Sequence, residues 1–391
     1  MPGGQERPWR DLEAIERDSA WYEEQLRYID VSRTEPYLLA SLIENAQELG
    51  AEVARDEDSF VRRTEELVDE LIAQNWIMRV ENAHISRARA YLEKPLASVD
   101  GSQYLGGWLH GKYFIPITAV RIMFRSFWDR RPVVVFSEGT KIYEFMEIDH
   151  RLAEVKAELK MLGLEAELLK EAVDDGVQMV MVDGPIVDPP RPLRIAGRDY
   201  DEYVRMRARV LRKAVEKGVL VIGLVKRVTG NMFIGAIAQD GIQPPYFMRR
   251  LRWGDRILLD AMLTSLLMRD KDGLYRTRHF EPLSEHIGAY DDYKSAGLKV
   301  LTFFTQARVD TPPVRVEVLP AEEDLIPLVA ALVKLTTLPG QPYPMPIMMA
   351  HEKSLIRKGL AETLFYEIIT QSERGQRPKL IRMLRLKYLM G

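Results

Sequence analysis

Residues Leu96 to Tyr104 read Leu-Ala-Ser-Val-Asp-Gly-Ser-Gln-Tyr, and the rest of the chain is organised around them. An apolar run closes on an acid followed at once by glycine, which predicts a buried strand opening into a turn at Asp100. The pattern returns at Val177-Gln-Met-Val-Met-Val-Asp183-Gly184-Pro185. Neighbouring strands of a sheet lie about 5 Å apart, so two such strand ends would bring both carboxylates to one edge. Carboxylates that close repel each other unless a cation lies between them, which makes the pair a candidate divalent-metal site. Asp-Gly also occurs at Asp175, Asp240 and Asp272, where no clear apolar strand precedes it and a plain turn is expected.

Composition limits the alternatives. The chain has 391 residues, 46% of them hydrophobic, enough for one large domain with additions or for two. A net charge of −3 provides no global basic field, so any contact with nucleic acid must come from local patches. Cysteine is absent, which excludes disulfides, zinc fingers and a thiol nucleophile. The polar amino terminus lacks the apolar core of a signal peptide. The longest apolar run, near Leu325 to Val333, falls short of the roughly 20 residues that span a bilayer. A cytoplasmic protein without a membrane segment is expected.

Residues 9 to 93 read as helices, with Leu39, Leu42, Ile43, Ala46 and Leu49, then Leu67, Val68, Leu71, Ile72 and Trp76, at helical spacing. Strands are predicted at Leu96 to Val99, Tyr113 to Phe124 and Val133 to Phe136, followed by a charged helical stretch from Tyr143 to Asp174. The strand Val177 to Val182, a proline-rich loop from Pro185 to Arg194, a helix from Asp199 to Lys217 and the strand Val219 to Lys226 come next. Further on lie a helix at Arg256 to Met268, strands near Val300 to Phe304 and Val314 to Val318, a helix from Glu322 to Leu335 and a last helix starting at or just before His351. Alternating strands and helices of this kind point to an α/β fold with a mixed sheet flanked by helices. The divisions expected are a helical amino-terminal region (residues 1–94), a mixed-sheet α/β domain (95–355) and a basic helical tail packed on the core (356–391).

A two-metal phosphodiester site needs about three or four acidic or imidazole ligands converging on one point. On a helical wheel at about 100° per residue, Met161, Leu162, Leu164, Ala166, Leu168, Leu169, Ala172 and Val173 form an apolar arc with Glu165 at its centre, whereas Glu167 falls on the polar side. An acid inside a core-facing arc is costly unless it is paired or metal-bound, so Glu165 is a ligand candidate, with a buried arginine as its alternative partner. Lys226 ends its strand as the two aspartates end theirs, placed to hold a phosphate oxygen or orient an attacking water. His351 follows a run through Pro342, Pro344 and Pro346, and an imidazole there could bind a metal or stabilise a leaving oxygen. Local basic clusters offer DNA contacts: Arg121 and Arg125; Arg249, Arg250 and Arg252 beside Tyr246, Phe247 and Trp253; and the carboxy-terminal run from Arg374 to Lys387. No phosphate-binding Gly-x-x-x-x-Gly-Lys-Ser/Thr or dinucleotide-binding Gly-x-Gly-x-x-Gly pattern follows a strand, which argues against ATP hydrolysis and hydride chemistry.

Taken together, Ser98-Val-Asp100-Gly-Ser102, a glutamate upstream of Val182-Asp183-Gly-Pro185, Gly223-Leu-Val-Lys226, and Gln341-Pro-Tyr343-Pro through Ala350-His351-Glu352 resemble the NurA family of prokaryotic DNA-repair nucleases. The resemblance covers residues 95 to 355. It implies an RNase H-like core, a homodimer with a central channel, and manganese-dependent cleavage of single- and double-stranded DNA, including 5′ to 3′ resection. It also implies a hexameric HerA-type helicase-translocase that supplies the ATPase. By position it puts metal ligands at Asp100, Asp183 and His351 and at a glutamate that its spacing allows to be Glu165 or Glu167, of which the wheel favours Glu165, with Tyr343 nearby and Lys226 in the catalytic set. All-oxygen ligands suit Mg²⁺ or Mn²⁺, the imidazole tilts the choice to Mn²⁺, and two ions are expected. Two other readings stand beside this one: an RNase H-like nuclease for junctions or hybrids, and a non-catalytic DNA clamp.

Overall fold

The computed structural model describes residues 36–52, 77–147, 149–187, 193–226, 275–277, 293–308, 311–322 and 324–375. The chain divides into two compact units, Met1–Glu66 and Leu67–Gly391. In the first, residues 36–52 form helix α1, with Tyr37, Leu38, Leu42 and Leu49 exposed. Everything below concerns the second unit. The division falls well before residue 94, because residues 77 to 92 carry elements of the larger unit. The expected helix from Arg256 to Met268, the helical pattern at Leu67 to Trp76, and the basic residues beyond Gly375 lie outside the described residues.

The order of elements is β1 (Ile77–Arg79), α2 (Asn82–Leu92), β2 (Leu96–Gln103), β3 (Gly107–Leu109), β4 (Lys112–Phe124), β5 (Val133–Phe136), β6 (Lys141–Phe145), α3 (His150–Asp174), β7 (Met179–Asp183), α4 (Arg198–Glu216), β8 (Leu220–Val225), β9 (Tyr275–Thr277), β10 (Leu301–Thr305), β11 (Val314–Leu319), α5 (Leu325–Thr336), α6 (Met345–Ser354) and α7 (Lys358–Gly375). Two short strands depart from the sequence reading. β1 lies in the stretch read as helical and pairs with β9. β6 takes Tyr143 out of the predicted helix and pairs with β4. Both are short and lie beside a helix in sequence, so the helical pattern of the neighbouring stretch extends over them.

One sheet runs in the order β1-β9-β10-β11-β8-β7-β2-β4-β3, with β5 and β6 also on β4. β2, β7 and β8 are parallel to one another, and β4 lies antiparallel to β2. This is an RNase H-like core: an antiparallel meander whose first strand continues sideways into two parallel strands. The parallel pairs require crossovers, and α4 is the one that links β7 to β8.

Period-two alternation divides the strands between two hydrophobic layers. Ala97, Val99, Val180, Val182 and Val221 face α3 and α4. Leu96, Met179, Met181, Leu220, Ile222 and Leu224 face the layer that holds α2, α5 and α6. α5 is buried from Leu325 through Val333, as an all-apolar helix must be, and it packs against α2 as well as the sheet. α7 meets the core through Phe365 and Ile369, against Phe114 and Leu109.

Candidate metal centre

Asp100 is not at a strand end. β2 continues to Gln103, and the glycine after Asp100 serves a close approach and not a turn: a Cβ at Gly101 would meet Met161 Cγ at 2.6 Å and Glu165 Oε1 at 2.7 Å. Alternation then directs Asp100 towards α6 and Gly101 towards α3. Asp183 does end its strand, and Gly184 follows with φ of 127°, a conformation that favours glycine. Lys226 comes directly after β8 on the same face as the two aspartates.

α6 completes the group from above. Its start carries Pro344 as N-cap and Pro346 within the first turn, where a missing N–H costs nothing. The helix therefore begins before His351, which sits in its second turn. His351 Nδ1 lies 3.1 Å from Asp100 Oδ2 and 3.4 Å from Asp183 Oδ2. Lys226 Nζ donates to Asp183 Oδ2 at 2.5 Å, and the Tyr343 hydroxyl donates to the Lys226 carbonyl at 3.2 Å while its ring lies under the ammonium. Ser354, one turn beyond His351 and buried, donates to Asp100 Oδ2 at 2.8 Å. Ser102 Oγ accepts from the Ile356 N–H at 3.0 Å, so the end of α6 is fastened to β2 at two points.

Five of the six residues singled out in the sequence therefore meet: Asp100, Asp183, Lys226, Tyr343 and His351. The sixth does not join them. Among the described residues, the acidic and imidazole ligand atoms within 4.8 Å of one another belong to Asp100, Asp183 and His351. Glu165 is buried and Glu167 exposed, in keeping with the wheel, yet Glu165 lies behind Gly101 on the α3 face. There it lines a small cavity together with Arg207. Arg121 also requires correction. Its side chain is only 8% exposed and pairs with Asp175 at 2.8 Å and Glu171 at 3.6 Å, so it ties β4 to the end of α3 and is no surface for DNA. Arg125 is exposed; Arg249, Arg250 and Arg252 lie outside the described residues.

The donors fit a hard divalent cation. Burial, and next the charge of Asp183, push the Asp100 carboxyl up from 3.8 to about 6, with Ser354, His351 and Lys226 pulling the other way. Burial and the neighbouring charge both disfavour ionised Asp100, and a cation would relieve both. Two carboxylates with one imidazole suit Mn²⁺ or Mg²⁺ and lack the thiolates of a softer site.

Ser354, Arg207 and Glu317 escaped the sequence reading. Ser354 stands three residues after His351, one turn on along the same helix face. Arg207 falls among Tyr203, Val204, Ala208 and Leu211 on the buried side of α4, where a wheel of that helix would have exposed it. Glu317 alternates correctly for a solvent-facing strand position, and nothing local marks it as buried.

A sequence model of the NurA domain matches residues 46–356. Among solved structures, the NurA nuclease from Sulfolobus solfataricus superposes with a TM-score of 0.56 at 13% identity, over 86% of this chain and 98% of that one, a likeness of fold. A NurA structure with manganese matches at a TM-score of 0.41 and 10% identity, over 76% of this chain and 94% of that one. No curated protein matches the chain by sequence.

Proposed function

The chain belongs to the NurA family, and on that premise we propose that it is a metal-dependent deoxyribonuclease that hydrolyses phosphodiesters where Asp100, Asp183 and His351 converge. The observation that carries this reading is the convergence itself, since the ligand atoms of these three residues lie within 4.8 Å of one another.

Asp100, Asp183 and His351 would hold Mn²⁺ or Mg²⁺, two ions in the complete site. A metal held there would supply Lewis-acid chemistry, lowering the pKa of an attacking water and stabilising charge on the leaving 3′ oxygen. The remaining work falls to the chain. Ser354 keeps Asp100 oriented and reduces the cost of its charge. Lys226 is shared: without metal it neutralises Asp183, and with a cation in place the ammonium is free to turn to a non-bridging phosphate oxygen. Tyr343 fixes Lys226 from its backbone and its ring. Among the described residues no helix is long and apolar enough to cross a membrane.

The finer parts of the reading follow from the family. We place the chain as a cytoplasmic homodimer that degrades DNA 5′ to 3′, cuts single strands internally, and resects double-strand breaks with a HerA-type hexameric translocase. The test is DNA labelled at one 5′ end, incubated with the pure protein and Mn²⁺, Mg²⁺ or EDTA, beside Asp183→Ala. Short labelled products that need metal and vanish in the variant are expected. Intact DNA with every metal, with and without the translocase, would leave a DNA clamp as the better description.

A further inference from the structure

The turn after Asp183 is gripped from the face of the sheet opposite the metal centre, by two buried charges that the proposed chemistry does not use. Glu317, 1% exposed on β11, stands opposite Gly223 of β8 in the sheet register. Its Oε2 accepts the N–H groups of Ile186 at 2.7 Å and Val187 at 2.9 Å. Arg315 lies 3.2 Å from the other carboxylate oxygen. Arg207, 4% exposed on α4, takes the complementary groups: it donates to the carbonyls of Pro185 at 2.9 Å and Ile186 at 3.2 Å. A third bond runs from its Nη1 to the Tyr203 hydroxyl at 2.8 Å.

Gly223 makes room for this arrangement. A Cβ there would meet the Gly184 carbonyl at 2.8 Å and the Ile186 nitrogen at 2.9 Å. The turn itself is joined to β8 through the Gly184 N–H, which donates to Leu224 O at 2.8 Å. Buried main-chain groups outside a ladder need partners, and charged partners give the shorter, stronger bonds. A fixed carboxylate thus takes the N–H groups of the turn and a fixed guanidinium takes its carbonyls. Asp183 is the residue from which that turn departs, so the direction of its carboxylate is set by how firmly the turn is held.

We infer that Glu317 and Arg207 are positioning residues for the metal centre, holding the Gly184–Val187 turn so that Asp183 stays directed at Asp100 and His351. The inference rests on the proposed metal centre. Because Arg207 also lines the cavity beside Glu165, one guanidinium stands behind both the Asp183 turn and the acid that backs Gly101.

The test is Mn²⁺ binding by isothermal titration calorimetry to the full-length wild type, Glu317→Ala and Arg207→Lys. It is run well below the unfolding temperature of each, with amide exchange at Ile186 and Val187 followed in parallel. Arg207→Lys keeps the buried charge but lacks the planar fork whose three nitrogens reach both carbonyls and Tyr203. The Mn²⁺ Kd is expected to rise about tenfold or more, the range typical of groups that orient metal ligands, with faster exchange at the two amides. A merely structural role would lower the unfolding temperature and leave the Kd of the folded protein unchanged. Wild-type affinity in whichever variant folds overturns the inference. A wild type that binds no Mn²⁺ overturns the proposed function instead.

Discussion

Asp100→Asn should stabilise the metal-free protein at neutral pH while abolishing its response to Mn²⁺. Burial and the facing Asp183 raise the Asp100 carboxyl from 3.8 to about 6, so the folded state holds this proton more tightly than the unfolded chain does. The penalty is absent below the unfolded value, grows as pH rises between 3.8 and about 6, and is complete above that window. At about 1.4 kcal/mol per pH unit, the gap amounts to about 3 kcal/mol. Asparagine keeps the shape and still accepts from Ser354, but it gives up the attraction of Lys226 and His351, so about 3 kcal/mol is a ceiling on the gain. The assay is urea denaturation in EDTA at pH about 5 and about 7.5, with stability extrapolated to water. Wild type should be the less stable at the higher pH, and the variant should show less of this loss; comparing the two cancels other titrating groups. Asp174, held at about 2 by Lys213 and Lys217, changes its ionisation below both conditions. Mn²⁺ at about a hundredfold over its Kd should add about 2.7 kcal/mol to wild type and little to the variant. The same change in stability between the two pH values in wild type and variant, or a variant weaker than wild type at the higher one, would refute the reasoning.

Two further outcomes follow from the same geometry. Gly101→Ala puts a methyl against Met161 Cγ at 2.6 Å and Glu165 Oε1 at 2.7 Å, and it should cost about 1–3 kcal/mol by overpacking; a thermal melt, with cleavage measured in parallel, would show lower values in both. Arg121→Ala removes the buried partner of Asp175 and Glu171 and should cost about 1–3 kcal/mol of stability with DNA affinity unchanged; fluorescence anisotropy showing weakened DNA binding in the folded variant would restore Arg121 as a contact.

Much of the centre could be read before the chain was folded. Asp100 and Asp183 each close an apolar run, Lys226 closes a third, and Tyr343 and His351 lie in one proline-marked segment. Each of these signals is local. The wheel likewise placed Glu165 inside and Glu167 outside, because the face of a helix depends only on its own period. What surrounds Glu165 was not legible, since the Arg207 that lines the same cavity comes from another helix. Arg121 was misread for the same reason: a cluster of arginines looks like surface until Asp175 and Glu171 arrive from α3. Ser354 and Glu317 had no local mark, because a serine on a helix and an acid alternating in a strand are ordinary on a wet face.

The sequence by itself determined most of the strands and helices, and that acids stand where apolar runs stop. Those properties depend on neighbours along the chain, through a period of two or of 3.6 residues. Only the tertiary structure decided which side of the sheet each acid serves. The pleat fixes the alternation of Asp100 and Gly101, but α6 covers one face and α3 the other through contacts between residues as far apart as Asp100 and Ser354. Packing of the two layers thus put His351 and Ser354 with the aspartates, and set Glu165, Arg207 and Glu317 behind them.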